Sequence, residues 1–310
     1  MSSHAPRSID EYLKQLRAAL EDEDTALVQD ALYDSEEYLR AELGAHAGKS
    51  EADVLELIAS TYGAPEEVAA AYRDTEAKVK AALQPPRPAY SQDPGLLARF
   101  FRVYLDPRAY LSLFYMFLAC ATGVLYFTFV IMGISLTAGL SVLIIGVPFF
   151  LGFISLTRAI SLGEGRLLEA ITGERMPRRP LHRGTAGSMW QRIAEMLKDP
   201  RTWTTLLYLV LMLPLGLLYF VIAVAGIAVG VELACAPFWM LASNLGWLPP
   251  DWGYEVSLGS WNVPASGALV VGVLVLGLGI TILTLLMHAA RGIAWGHARF
   301  AKALLVEPGT

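Results

Sequence analysis

The chain has 310 residues, of which 55% are apolar and only 17% charged, and its mean hydropathy is +0.45. That balance excludes an ordinary soluble domain, and a formal net charge of −5 excludes a basic nucleic-acid binder. The charge is split: Met1–Leu83 carries 8 Lys+Arg against 18 Asp+Glu, the remainder 16 against 11, so an acidic soluble front precedes a membrane body with basic edges.

The front reads as four helices. Ser8 to Glu11 fits a capping box, and Ile9, Tyr12, Leu13, Leu16 and Leu20 form an apolar stripe behind it. A second helix is predicted over about 24–43, with Ala26, Leu27, Ala31, Leu32, Tyr38 and Leu39 inward and Gly44 as its stop. Ser50 caps a short third helix carrying Val54, Leu55 and Ile58. Gly63-Ala64-Pro65 breaks the chain, and Pro65 opens a fourth helix, where its missing N–H costs nothing. No positive-then-apolar-then-small pattern opens the sequence, so no cleaved signal peptide is expected and the front is expected to stay in the cytosol.

A Pro-rich linker follows over 84–95, QPPRPAYSQDPG. The stretch 96–105, LLARFFRVYL, reads as a short basic amphipathic helix at the bilayer edge, and MWQRIAEMLK at 189–198 holds the matching place further on. Each leads into an Asp-Pro-Arg, at Asp106 and at Asp199, and from there two apolar segments align without a gap. Tyr115 matches Tyr208, Gly123 matches Gly216, Tyr126-Phe127 matches Tyr219-Phe220, and Gly133-Ile134 matches Gly226-Ile227. A duplicated membrane unit is the expected core.

No charged residue lies between Ala109 and Thr157, and no Lys or Arg between Thr202 and Ala290. A hydrocarbon core of about 30 Å takes roughly 20 apolar residues per helix. Four spans are predicted, near 109–131, 134–157, 203–225 and 266–288, with both ends of each repeat on the Arg-rich, cytosolic side. Residues 226–265 are read as an outer-leaflet or re-entrant segment leading to an extracytoplasmic loop. A second matched motif closes each repeat: Arg158 to Arg166 (RAISLGEGR) answers Arg291 to Arg299 (RGIAWGHAR). It is expected to form a helix returning along the inner surface. The fold class is thus all-α: a small cytosolic helical domain, 1–83, the linker 84–95, and a four-span membrane domain of two repeats, 96–183 and 184–310.

No catalytic constellation is present, so an enzyme is not expected. Cys120 and Cys235 lie singly in apolar runs, the five histidines show no metal spacing, and no phosphate-binding Gly loop occurs; neither a metal nor a cofactor is expected. His288, near Arg291, reads either as a proton sensor or as an interfacial side chain. Arg158, Arg166, Arg291 and Arg299 read either as anchors on anionic lipid headgroups or as a polar seam coupling the spans to the cytosolic helices. Glu232 interrupts an apolar run. With Trp239, Trp247, Asp251, Trp252 and Glu255 it makes an acidic, Trp-rich outer surface suited to a cationic or amphipathic ligand, the alternative being an aromatic belt. The acidic front suits a basic protein partner and not nucleic acid, whose phosphates need Lys and Arg.

The front resembles the bacterial HAAS signalling domain, associated with helix-turn-helix regulators, through Tyr12-Leu13-x-x-Leu16, the acidic helix at Asp34-Ser35-Glu36-Glu37-Tyr38, and Tyr62-Gly63-x-Pro65-Glu66-Glu67-Val68-Ala69. The body resembles the bacterial Putative sensor membrane domain over about 100–307. The paired Gly-x-x-Tyr-Phe segments, Gly146-x-Pro148, Pro237-Phe238-Trp239 and the two Arg motifs carry that likeness. The resemblance implies signalling to a PadR-type transcription factor, with Asp34, Glu36, Glu37, Gly63 and Pro65 as partner surface. No kinase or DNA-binding segment follows Glu307 here, so output is expected to pass through the front to a separate regulator. The expectation is a sensor in the bacterial inner membrane with both termini cytosolic and a homodimer compatible with its Gly-rich spans. A transporter or lipid-handling protein, or a membrane scaffold, are the alternative functions.

Overall fold

The structure, a computed structural model, describes residues 5–46, 48–83, 95–142, 145–177, 194, 196–247, 257–258, 261–262 and 265–306. It is an all-α protein. Four short helices, α1 (Ile9–Ala19), α2 (Thr25–Ala45), α3 (Glu51–Ala59) and α4 (Pro65–Leu83), make the front. Then come α5 (Leu96–Phe101), a 3₁₀ turn (Arg102–Leu105), and four long apolar helices: α6 (Pro107–Leu140), α7 (Gly146–Thr172), α8 (Pro200–Asn244) and α9 (Ala265–Leu305). Between α8 and α9, Ser257–Leu258 pairs antiparallel with Trp261–Asn262. Contacts divide the chain into two compact units that cut across chain order: residues 1–91, 135–208 and 298–310 in one, 92–134 and 209–297 in the other.

Each predicted front helix forms, for the local reasons its sequence contains. Ser8 Oγ accepts from the Glu11 N–H at 3.2 Å, Asp24 Oδ1 from the Ala26 N–H at 2.9 Å, and Ser50 Oγ from the Asp53 N–H at 3.2 Å. Gly63 has φ +104°, a backbone state that disfavours side chains, and it turns the chain so that Pro65 can begin α4. The Tyr12 hydroxyl donates to the Gly63 carbonyl at 2.9 Å, fixing that turn against α1. Around it Leu16, Leu20, Ala31, Leu39, Val54, Leu55, Ile58, Val68 and Ala69 form one buried core.

Burial pushes the hydroxyls of Tyr12, Tyr62 and Tyr72 above their ordinary pKa near 10; the neighbouring Asp34 adds to this at Tyr72, while a hydrogen bond from Ser35 opposes it at Tyr62. The unfolded chain would release these protons at pH about 10 while the folded module holds them. Stability from this source is therefore complete below pH 10 and is lost as pH rises above it. Amide exchange of α1–α4 should stay slow between pH 7 and 9 after correction for the intrinsic rate and accelerate above 10. An unchanged corrected rate at pH 11 would contradict this.

Four helices, Pro107–Leu140, Gly146–Thr172, Pro200–Ser243 and Val270–Leu305, are long and apolar enough to cross a membrane. Their ends differ from the predicted ones. Helix α6 continues past the turn expected near Gly133 as far as Leu140, because a lone Gly in an apolar run costs only about 1 kcal/mol and does not stop a helix. At Gly146 a Cβ would collide with the Leu140 carbonyl, so that is where the chain can fold back. The re-entrant reading of 226–246 is likewise corrected: α8 runs unbroken from Pro200 to Asn244 through Pro214 and Pro237. In apolar surroundings a backbone that leaves its helix loses partners water cannot replace. At 1.5 Å per residue α8 is about 68 Å long, over twice the hydrocarbon thickness. The Arg motifs form no separate surface helix; Arg158 and Arg166 lie in α7, Arg291 and Arg299 in α9. The linker, except Gly95, and most of 189–198 lie outside the described residues.

The second unit shows how α6, α8 and α9 meet. A Cβ on Gly123 would lie 2.5 Å from the Met212 carbonyl oxygen, and one on Gly216 would collide with the Ala119 carbonyl. The α6–α8 crossing is thus backbone on backbone at both glycines, as small-residue packing allows. Between α8 and α9, Gly279 meets the backbone at Gly230 and Ala234, while Gly226 and Gly230 leave room for the side chains of Leu286 and Leu283. The 3₁₀ turn packs through Val103 on Ala109 and Met287, and the Tyr104 hydroxyl lies 3.0 Å from Thr284 Oγ1.

Candidate functional site

The most concentrated polar chemistry among the described residues joins the acidic front to the arginine-bearing ends of the long helices, inside the first unit. It starts where α7 stops. Gly173 takes a left-handed conformation (φ +75°), and its N–H closes on the Glu169 carbonyl at 2.8 Å. The reversed chain buries Met176 against Gly165, which aims Arg175 at the front. Its Nη2 donates to Asp30 Oδ2 of α2 at 3.0 Å and its Nη1 to Glu76 Oε2 of α4. All three side chains are about nine-tenths buried, while Arg175 Nε, also buried, has no hydrogen-bond partner.

Two further cations complete the clamp. Arg201, in the first turn of α8, donates through Nη2 to Gln29 Oε1 at 2.8 Å and through Nε and Nη2 to the Leu305 carbonyl at 3.2 and 3.0 Å. It thus satisfies a carbonyl at the C-terminus of α9, where a cation is favoured. Lys302 Nζ meets Asp24 Oδ2 at 2.5 Å and Glu174 at 3.6 Å. The other oxygen of Asp24 caps α2, so that helix start is tied to α9 through one carboxylate.

The predicted arginines have definite places. Arg158 pairs with Asp199 at 3.3 Å, and Arg291 with Asp106 at 3.2 Å. The Arg that follows the first Asp-Pro-Arg segment meets the Asp of the second, and the Arg that follows the second meets the Asp of the first. Other contacts recur at matched positions: Tyr110 Oη donates to the Tyr104 carbonyl and Trp203 Nε1 to the Leu197 carbonyl, and Arg108 N and Arg201 N donate to Asp106 and Asp199 Oδ1. Arg166 and Arg299 are exposed and engaged by interactions of their own.

Of the proposed outer site, Glu232 and Trp239 lie seven residues apart on α8, on one helix face. Trp239 packs edge-on against Phe238, and Trp247 is 72% exposed. Asp251, Trp252 and Glu255 lie outside the described residues. Most of the proposed partner surface is tied down internally. Asp34 accepts from the Tyr72 hydroxyl at 3.0 Å, Glu36 pairs with Arg40 at 2.8 Å, and the Gly63 carbonyl takes Tyr12; Glu37 is also engaged. Two hollows of about 490 and 430 Å³ flank the Gly63–Pro65 turn, the first lined by Tyr12, Leu55 and Pro65, the second by Tyr62, Gly63 and Tyr72.

His288 Nε2 lies 3.1 Å from the Phe100 carbonyl and its ring stacks on Phe100, tying α5 to α9. Sequence reasoning passed over His297, which is 2% exposed, 3.1 Å from the Tyr219 hydroxyl through Nδ1, and ringed by Tyr115 and Tyr219. The signal was available: His297 holds the place of Glu164 in the matched Arg motifs, and Glu164 is also 2% exposed. Arg175 carried no such signal, standing in a polar loop between matched segments. Among the described residues no group of His, Cys, Asp or Glu is placed to hold a metal.

Comparison with known proteins is consistent with this architecture. A family model described as Putative sensor matches residues 115–305, which takes in α7, α8, α9 and most of α6, but not the front helices. No curated protein and no solved structure matches the chain. With well over half of its length matched, the chain belongs to the Putative sensor family.

Proposed function

We propose that this protein is a membrane-embedded sensor whose membrane body, built from a duplicated unit, passes a membrane or extracytoplasmic signal to the acidic helical front. The front in turn captures or releases a separate cytosolic transcriptional regulator, PadR-type on its likeness to HAAS domains. In this reading the body lies in the bacterial inner membrane with both termini cytosolic, and its exposed Arg166 and Arg299 face anionic headgroups. The observation that carries the reading is the clamp: Arg175, Arg201 and Lys302, at the ends of long apolar helices, hold Asp30, Glu76, Gln29 and Asp24. A shift of α7 or α9 along its axis displaces a cation from its acid, and a shift of α8 takes Arg201 from Gln29. Recurrence of the same contacts at both Asp-Pro-Arg segments supports the duplication.

The test is capture of a purified PadR-type regulator by the full chain in nanodiscs. Deleting Met1–Leu83 should abolish capture while α6–α9 remain folded. Capture that survives the deletion, or a substrate flux by the purified protein across liposomes without any capture, would overturn the reading.

A further inference from the structure

We propose that the face of the front formed by Asp24, Asp30 and Glu76 is itself the docking surface for a basic protein partner, and that the body's Arg175, Arg201 and Lys302 occupy it in the manner of that partner. Docking on the body and capture of the partner then exclude each other. This rests on the reading above, in which the front captures a regulator, and specifies where and how that capture is controlled.

Several observations converge on this face. The front bears 18 acids against 8 Lys and Arg, and two of the acids earlier assigned to a partner, Asp34 and Glu36, are engaged within the front. Asp24, Asp30 and Glu76 each also reach a cation some hundred to almost three hundred residues away in sequence, with the other oxygen of Asp24 capping α2 and that of Glu76 3.8 Å from Lys80. They come from two helices, Asp24 and Asp30 from the start of α2 and Glu76 from α4. The bidentate reach of one guanidinium across Asp30 and Glu76 defines what the face recognises: an arginine with a second cation beside it. Nucleic acid and anionic membrane are repelled by the same carboxylates.

The clamp is also built to open. Arg175 is buried with its Nε unsatisfied, so closure forgoes one hydration contact that opening restores, and the ion pairs must offset their own desolvation. Such a contact is held in place by neighbouring geometry as much as by its own strength. A one-turn or smaller displacement of α7 or α9 can therefore release it.

The experiment uses the full chain in neutral-detergent micelles with a labelled synthetic helical peptide of repeated Arg and Ala as the probe. The body variant Arg175→Gln, Arg201→Gln, Lys302→Gln is expected to bind the probe about tenfold more tightly than the native chain. Apparent affinity scales with the fraction of molecules whose site is free, and a clamp shut in nine molecules of ten reports a tenfold gain on release. Asp30→Asn with Glu76→Gln should abolish the gain in the body-variant background. Circular dichroism and α1–α3 amide protection confirm that each variant is folded. Because Arg201 also caps α9, Arg175→Lys is the second variant; it keeps the charge but not the fork, and a smaller gain is expected. Equal probe affinity in the native chain and both body variants would overturn mutual exclusion, and unchanged binding after the Asn/Gln pair would overturn the surface. If the probe behaves as expected but a PadR-type regulator is captured by none of the proteins, the regulator assignment fails and the surface stands.

Discussion

Arg175→Glu is expected to detach the front from the ends of the long helices. The change places a third carboxylate between Asp30 and Glu76, both under one-tenth exposed. Breaking a buried pair from one side costs about 3–5 kcal/mol, because the surviving charges are left without a partner. Amide exchange in α2 and α4 on the clamped face should rise by two to three orders of magnitude, while α1 and α3 change little. Adding Asp30→Arg should recover most of the protection, since it restores an opposite charge within reach. Lys302→Glu is expected to act in the same direction with a smaller effect, its pair with Asp24 being 19–26% exposed. The exposed Lys78–Asp74 pair should be worth no more than about 0.5 kcal/mol. Unchanged exchange in Arg175→Glu would show that something other than this clamp holds the front.

Gly123→Leu and Gly216→Leu are expected to disable the body to nearly the same degree. Each glycine has the carbonyl of the other helix where its Cβ would stand, so neither side chain can be accommodated by a rotamer change; the helices must separate. Overpacking typically costs about 1–3 kcal/mol, and more where the obstruction is backbone. The sharper expectation is the equality: the Met212 and Ala119 carbonyls occupy matched places in the two aligned segments. Gly139→Ala, which meets nothing within 4 Å, is the control and should be neutral or slightly stabilising. The readout is the fraction of folded monomer recovered in detergent and its midpoint of thermal unfolding. A large difference between the two Leu variants would count against matched roles for the glycines.

Most of the fold could be read from the residues because its signals are local. Ser8, Asp24 and Ser50 cap the helices they precede, Gly63 and Pro65 break and restart the chain, and uncharged runs mark the four long helices. The ends of those helices were harder. A Gly inside an apolar run looks like a turn in sequence, whereas whether it is one depends on what approaches it, as the contrast between Gly133 and Gly146 shows. The segment after Gly226 was harder too, since α8 carries Pro237 inside it without a break. The clamp was least legible. Arg175 lies in a polar loop, Lys302 near the end of a helix, and Asp30 amid other acids; only their convergence marks them, and convergence is not a periodicity. The matched arginines were found as a pattern, but their exchange of partners between segments is a fact of three dimensions.

The clamp also sets an order of events during synthesis. Residues 1–83 contain a complete core of their own, yet Lys302 and the Leu305 carbonyl, which close the clamp, lie some 220 residues downstream. At translation rates of about 5–20 residues per second, the nascent front waits on the order of 10–45 s before Lys302 can reach Asp24, whereas Arg175 becomes available to Asp30 sooner. During that interval the acidic face lacks the cation that α9 supplies. The contact therefore closes in stages, with Arg175 reaching Asp30 and Glu76 before Lys302 reaches Asp24.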